Sequence, residues 1–125
     1  MKYIDLHCDT LMLVPDASGR QTLSSNTIAS IDFTRMKKAG TMAQFFAIFL
    51  LQKEMFAESN REYVEDDIYI DNCIRALESE VNGNNDIISM AYNHDDIIRN
   101  HSEGKMSAIL TIEDGRSVDD RLDKL

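Results

Sequence analysis

The chain has 125 residues, of which 43% are hydrophobic and 28% charged, and its formal net charge at pH 7 is −9. This composition excludes collagen-like and disordered chains, and the length predicts a single domain over residues 1–125. The acidic balance and the absence of a basic stripe argue against phosphate-rich partners, so neither nucleic acid nor an anionic membrane surface is expected to bind.

Strands and helices are predicted to alternate from the start of the chain. A first strand is predicted at residues 2–8 and a polar loop at 15–26. Asp32 is the predicted N-cap of a short helix that ends at Gly40, and a nearly all-apolar strand follows at residues 42–51. A continuous apolar strand between helices is typical of a parallel sheet that is covered on both sides.

The second half of the chain continues the alternation. A long helix is predicted at residues 60–81, a short strand at 87–91, a helix from Asn93 to Ser102 and a last strand at 105–113. The long helix carries an apolar stripe that is predicted to pack in the core: Val64, Ile68, Ile74, Leu77 and Val81. A capping box at residues 117–120 predicts one more helix. The alternation indicates the α/β class with parallel strands.

The first predicted strand leads into a His-x-Asp pair. Because strand side chains alternate, His7 and Asp9 are expected on one face, with Cys8, Ile4 and Leu6 on the other. Imidazole nitrogen and carboxylate oxygen are both zinc ligands.

Chance alone can produce a His-x-Asp pair, but the last predicted strand likewise ends in a carboxylate, Glu113. Parallel α/β proteins place their chemistry at the carboxyl ends of strands. We therefore expect His7, Asp9 and Glu113 to converge on one cation.

Three blocks of the sequence resemble the membrane dipeptidase family, the renal-type zinc dipeptidases. The blocks are residues 5–11, residues 31–47, and residues 103–105 with 108–117, and their order and spacing agree along nearly the whole chain. The resemblance implies α/β architecture as the N-terminal half of a (β/α)8 TIM barrel. A complete barrel has about 250 residues, so this one is expected to be incomplete.

The resemblance also implies an activity and a cofactor. The family hydrolyses dipeptides with two zinc ions. His7 and Asp9 are thereby implied as ligands of one zinc, and Glu113 as the catalytic carboxylate that bridges both. The histidine ligands of the second zinc lie beyond the position of Leu125, so one partial metal site or none is expected, and the chain is predicted to be inactive alone. The family usually has Glu-Gly-Gly-His where this chain has a run that ends in Arg116, which leaves the role of Arg116 open.

Two other interpretations stay open. The chain could be a non-catalytic truncated module that acts through self-association, or a related metal-dependent amide hydrolase. A homo-oligomer is expected because an incomplete barrel leaves a strand face or a sheet edge uncovered. The exposed face is expected on the second strand.

The cellular location is predicted from sequence features that the chain lacks. No apolar signal region follows Met1, and no apolar run reaches the roughly 20 residues of a membrane span. Cys8 and Cys73 lack the spacing of a disulfide framework. These features predict a cytoplasmic protein with reduced thiols. His94 and His101 match no ligand position.

Overall fold

The computed structural model describes residues 2–14, 22–58 and 62–118. Within these ranges one parallel sheet contains four strands: β1 (Tyr3–Asp5), β2 (Thr41–Phe49), β3 (Ile88–Met90) and β4 (Met106–Glu113). The helices of the described ranges are α1 (Phe33–Ala39), α2 (Lys53–Glu58), α3 (Asp66–Gly83) and α4 (His94–Ser102), with 3-10 turns at Thr10–Leu13 and Gly115–Ser117. The predicted α/β class with parallel strands is confirmed.

The predicted helix caps are present in the structure. Asp32 accepts a hydrogen bond from the backbone N–H of Arg35 at 2.7 Å, and Asn93 accepts one from that of Asp96 at 2.9 Å. Gly40 ends α1 with φ at 86°, a left-handed conformation that glycine adopts without steric cost. Local sequence therefore sets where α1 and α4 begin and end.

Strand β1 is shorter than predicted. It covers Tyr3–Asp5 and its register with β2 shifts between Tyr3 and Ile4. The chain returns to β2 at Cys8, which donates to the Phe45 carbonyl at 3.0 Å and accepts from Ala47 N–H at 2.9 Å. Because of this irregularity the expected alternation fails at Leu6, which is 70% exposed.

The strand order is β1-β2-β4-β3, which differs from the sequential order of an uninterrupted barrel. Strand β3 pairs only with Met106–Ala108, and helix α4 then crosses one face of the sheet. Asn100 of α4 donates to Ser107 Oγ at 3.1 Å, and Ile97 lines a cleft with Phe45 and Ile109. Helix α4 thus covers the amino-terminal half of the face that carries Glu113 at its other end.

The expectation of an uncovered strand-two face was wrong. Every residue of β2 is buried or half-buried. Strand β2 is an inner strand of the sheet, and α4 shields part of the face that a complete barrel would enclose.

Helix α3 packs by a stripe that matches the predicted one only in part, at Leu77 and Val81. Its buried residues recur every four positions: Tyr69, Cys73, Leu77 and Val81. Ile68 is 56% exposed, so its assignment to the core was wrong. Val64 and Ile74 are partly buried against the core, as predicted. Ile68 and Ile74 also line an open cleft that contains Ile112 of β4.

The remaining differences concern ends and short elements. Helix α3 begins at Asp66 rather than at residue 60, and residues 59–61 lie outside the described ranges. Helix α2 was not predicted. Residues 119–125, where a final helix is predicted, and most of the predicted 15–26 loop also lie outside the described ranges. No helix in the described ranges is long and apolar enough to cross a membrane.

Candidate metal centre

Three chain segments meet at the carboxyl edge of the sheet. Glu113 is the last residue of β4, where it pairs with Phe49 of β2. His7 and Asp9 flank Cys8 in the segment that follows β1. The backbone N–H of His7 donates to Asp5 Oδ1 at 3.2 Å. The backbone carbonyl of Asp9 accepts from the N–H of Met12 at 3.1 Å, at the start of the Thr10–Leu13 turn. Hydrogen bonds on both sides thus shape the segment that carries the His-x-Asp pair.

The side chains of His7, Asp9 and Glu113 converge. His7 Nε2 lies 3.2 Å from Asp9 Oδ1 and 3.3 Å from Glu113 Oε2, and one ligand atom from each residue lies within 4.8 Å of the others. All three side chains are about half exposed, between 46% and 52%. The structure therefore brings together the three residues that the sequence singled out, at a position open to solvent.

The donor set fits a zinc ion. Two ligand atoms that each lie about 2.0–2.2 Å from one ion, at a tetrahedral angle, are about 3.3–3.6 Å apart. The distances from His7 Nε2 to the carboxylate oxygens of Asp9 and Glu113, 3.2 and 3.3 Å, are close to this separation. An imidazole Nε2 carries at most one hydrogen, yet it faces the carboxylates of both Asp9 and Glu113. Two carboxylates and one neutral imidazole carry a formal charge of −2, which a divalent cation balances.

Cys8 is buried between the half-exposed His7 and Asp9, as expected of a packing residue. It belongs to the buried core, and burial raises the pKa of its thiol to about 11. Because a thiol must lose its proton to bind metal or attack a substrate, Cys8 is poorly suited to either task. Its role is packing.

A cleft opens beside the His-x-Asp pair. It has a volume of about 400 Å³, and its lining includes the apolar side chains of Met12, Leu13 and Ile31 as well as Asp5 and the pair itself. The cleft places apolar and acidic surface next to the candidate metal ligands.

The other histidines lie elsewhere. His94 starts α4 and contacts its neighbour Asp95 at 3.2 Å, and His101 is exposed near the end of the same helix. Neither belongs to the cluster of metal-ligand type found among the described residues.

Sequence analysis missed the surroundings of Arg116. Its guanidinium binds both carboxylate oxygens of Asp66, at 2.8 and 2.9 Å, and donates to the Leu51 carbonyl at 2.8 Å. Hydrogen bonds from Arg116, together with its positive charge, hold the pKa of Asp66 below its usual value. Asp66 and Arg116 are fifty residues apart in the chain, so no local pattern could have revealed their contact.

Comparison with known proteins gives a family and a fold. A model of the family described as membrane dipeptidase, peptidase family M19, matches residues 1–125. No match was found among curated proteins.

Two solved structures share the fold at low identity. A metallopeptidase from Rhodobacter sphaeroides, liganded with a phosphinate mimic of the dipeptide L-Ala-D-Ala, is 17% identical with a TM-score of 0.75, over 99% of this chain and 41% of that one. A metallopeptidase described as dipeptidase AC of family M19 is 18% identical with a TM-score of 0.70, over 99% and 38%. These likenesses confirm the predicted fold class, an α/β chain that forms part of a barrel. The chain spans about two-fifths of the length of these two proteins.

Proposed function

The chain belongs to the membrane dipeptidase family, peptidase family M19, and on this premise we propose that it carries the first-metal ligands of a zinc-dependent dipeptidase. His7 and Asp9 would hold one zinc ion. Glu113 would bridge that ion and a second one, because a carboxylate has two oxygens. The observation that supports this proposal best is the convergence of the three side chains within 4.8 Å.

When bound, two zinc ions would activate a water molecule at neutral pH and polarise the amide carbonyl of a dipeptide. The residues of this chain would supply orientation. His7 and Asp9 approach from the segment after β1, and Glu113 approaches from β4, so the relative position of two sheet strands sets the spacing of the ligands. The neighbouring cleft of Met12, Leu13 and Ile31 would take up part of the substrate.

Metal binding tests this proposal directly. Zinc or cobalt affinity is measured on the 125-residue chain by competition with a coloured chelator. We expect weak binding by the unmodified chain, because three ligands on part of a scaffold are poorly preorganised. His7→Ala and Glu113→Gln should each lower the affinity by more than about tenfold.

The control is His101→Ala, which removes an exposed imidazole outside the cluster. Equal binding by the unmodified chain and His7→Ala would overturn the proposed site. The 125-residue chain with added zinc should hydrolyse dipeptides negligibly, and robust turnover that His7→Ala abolishes would contradict its proposed inactivity.

A related amide hydrolase is the nearest alternative activity. The same metal ligands would serve it, and the difference would lie in the substrate. A panel of dipeptides and N-acyl amino acids, tested on a protein of the length of the matched relatives, separates the two.

A non-catalytic, self-associating module is a further candidate, and one observation favours it. Strand β4 is paired with β3 only at Met106–Ala108, so the described residues leave its edge open from Ile109 to Glu113. Ile112 at this edge is 45% exposed, and Ile68 across the cleft is 56% exposed. We propose that a second copy of the chain covers this surface in a homo-oligomer.

A cytoplasmic location is also proposed. Its support is that Cys8 and Cys73 are both free and buried, as is usual for proteins of reducing compartments. Cell fractionation with a thiol-labelling assay tests it.

A further inference from the structure

We propose that Arg116 is a positioning residue that holds Glu113 against His7. The inference rests on the proposed metal site. It goes beyond that site because Arg116 makes its hydrogen bonds to residues that are not candidate ligands: Asp66, Asp114 and the Leu51 carbonyl.

The Arg116 network, formed by Arg116, Asp66, Asp114 and the Leu51 carbonyl, joins distant segments at the carboxyl edge of the sheet. Nε and one terminal nitrogen of Arg116 donate hydrogen bonds to the carboxylate of Asp66 at the start of α3. The same terminal nitrogen donates to the backbone carbonyl of Leu51, just after β2. The other terminal nitrogen lies 3.2 Å from Asp114 Oδ2. One side chain therefore ties the turn after β4 to both α3 and β2.

The turn after β4 needs such support. Asp114, the residue next to Glu113, has φ at 80° and ψ at 106°. Non-glycine residues rarely adopt this conformation, which persists only where surrounding contacts hold it. The contacts here are hydrogen bonds to the Asp114 carboxylate from the backbone N–H of Arg116 at 3.0 Å and from its guanidinium.

Charge makes the network depend on arginine. Asp66 and Asp114 both contact one guanidinium, and their carboxylates would repel each other without it. The bidentate geometry with Asp66 suits the planar guanidinium fork and not an ammonium group. Loss of Arg116 should free the Asp114 turn and let Glu113 move away from His7.

The first test follows the contact between Glu113 and His7 in the metal-free chain by NMR. Glu113→Gln should shift the His7 Hε1 resonance in the unmodified chain, because the two side chains lie 3.3 Å apart. When Glu113→Gln is made in a chain that also carries Arg116→Met, the shift of the His7 resonance should be less than about half of that in the unmodified chain. Asp66→Asn, which removes the bidentate partner and keeps the arginine, should reduce it in the same direction.

Arg75→Met is the matched control. Arg75 pairs with Asp71 on the exposed face of α3, with a contact of 3.2 Å and side chains 73% and 61% exposed. Arg75→Met also removes an Arg–Asp pair from α3, but the contact between these two residues stays within the helix. Circular dichroism of each variant establishes that it is folded, and Asp66→Asn carries the test if Arg116→Met does not fold.

The second test measures metal affinity. Removal of partners outside the ligand shell typically weakens metal binding by about 10–100-fold. We expect a loss of this order in Arg116→Met, a smaller loss in Arg116→Lys, and no change in Arg75→Met.

The outcomes separate the two proposals. An unchanged His7–Glu113 coupling in folded Arg116→Met, or in folded Asp66→Asn if Arg116→Met does not fold, overturns the positioning role. If the coupling behaves as expected while the unmodified chain binds no metal, the positioning role stands and the proposed metal site fails.

Discussion

The ion pair of Arg116 and Asp66 is one of the less exposed in the described part of the chain, with side chains 32% and 29% exposed. The pKa of Asp66 is lowered mainly by hydrogen bonds from Arg116, against a smaller opposing effect of burial. A carboxylate whose pKa is lower in the folded than in the unfolded chain stabilises the fold above the unfolded pKa. That stabilisation is lost as the pH falls through the folded pKa.

Acid titration should therefore show the contribution of this pair. At pH 7, Asp66→Asn should lower the free energy of unfolding by about 1 kcal/mol. The difference should begin to shrink below about pH 4, the usual pKa of an aspartate. It should vanish only when the pH falls below the lowered pKa of Asp66 in the folded chain, because the unmodified carboxyl is then protonated as well. Urea unfolding between pH 7 and pH 2.5 measures this, and a difference that stays constant with pH would contradict the explanation.

At the scale of elements, α3 has two apolar surfaces with different neighbours. Leu77 is fully buried, whereas Ile68 is 56% exposed beside the open edge of β4. The helix therefore joins the core through one surface and leaves the other available for contact.

Paired truncations distinguish the two surfaces. Leu77→Ala should lower the free energy of unfolding by about 2–5 kcal/mol, because it removes buried methyl groups and leaves a cavity. Ile68→Ala should change it by less than about 0.5 kcal/mol in dilute protein. Chemical denaturation at low micromolar concentration measures both, and equal losses would mean that Ile68 is buried in solution.

At the scale of the molecule, one patch of exposed apolar surface lies beside the open edge of β4. The cleft between α3 and β4 contains Ile68, Ile74 and Ile112, flanked by the carboxylates of Asp67 and Asp71. The apolar residues favour contact with a second copy, and the acidic rim, together with a net charge of −9, opposes it.

Self-association should therefore strengthen with salt, which screens the repulsion between acidic rims. Sedimentation at tens of micromolar protein should show dimers or larger species, in greater proportion at about 0.5 M than at about 0.05 M NaCl. Ile112→Lys should reduce them, because a charged side chain protects a strand edge. Ile98→Lys on α4, a site of similar exposure at 49%, is the control. A monomer at both salt concentrations would exclude the proposed homo-oligomer.

The sequence by itself determined the features that depend on near neighbours. The caps at Asp32 and Asn93 each act over three residues, and Gly40 needs only its own freedom of φ, so all three could be predicted. The His-x-Asp pair and Glu113 were recognisable because each follows a short apolar run, and parallel strands bring such ends together.

Only the tertiary structure decided the features that depend on distant residues. Strand β3 lies at the edge of the sheet beside β4, and α4 covers part of β2. Both features depend on which strands pair, and strand pairing follows from the packing of the whole sheet. The exposure of Ile68 depends on a neighbouring strand edge, which helical periodicity does not describe. Arg116 meets Asp66 across fifty residues because β4 ends and α3 begins at the same edge of the sheet. Such contacts require chain closure over long loops, and the position of an arginine in the sequence does not identify the carboxylate that it will meet.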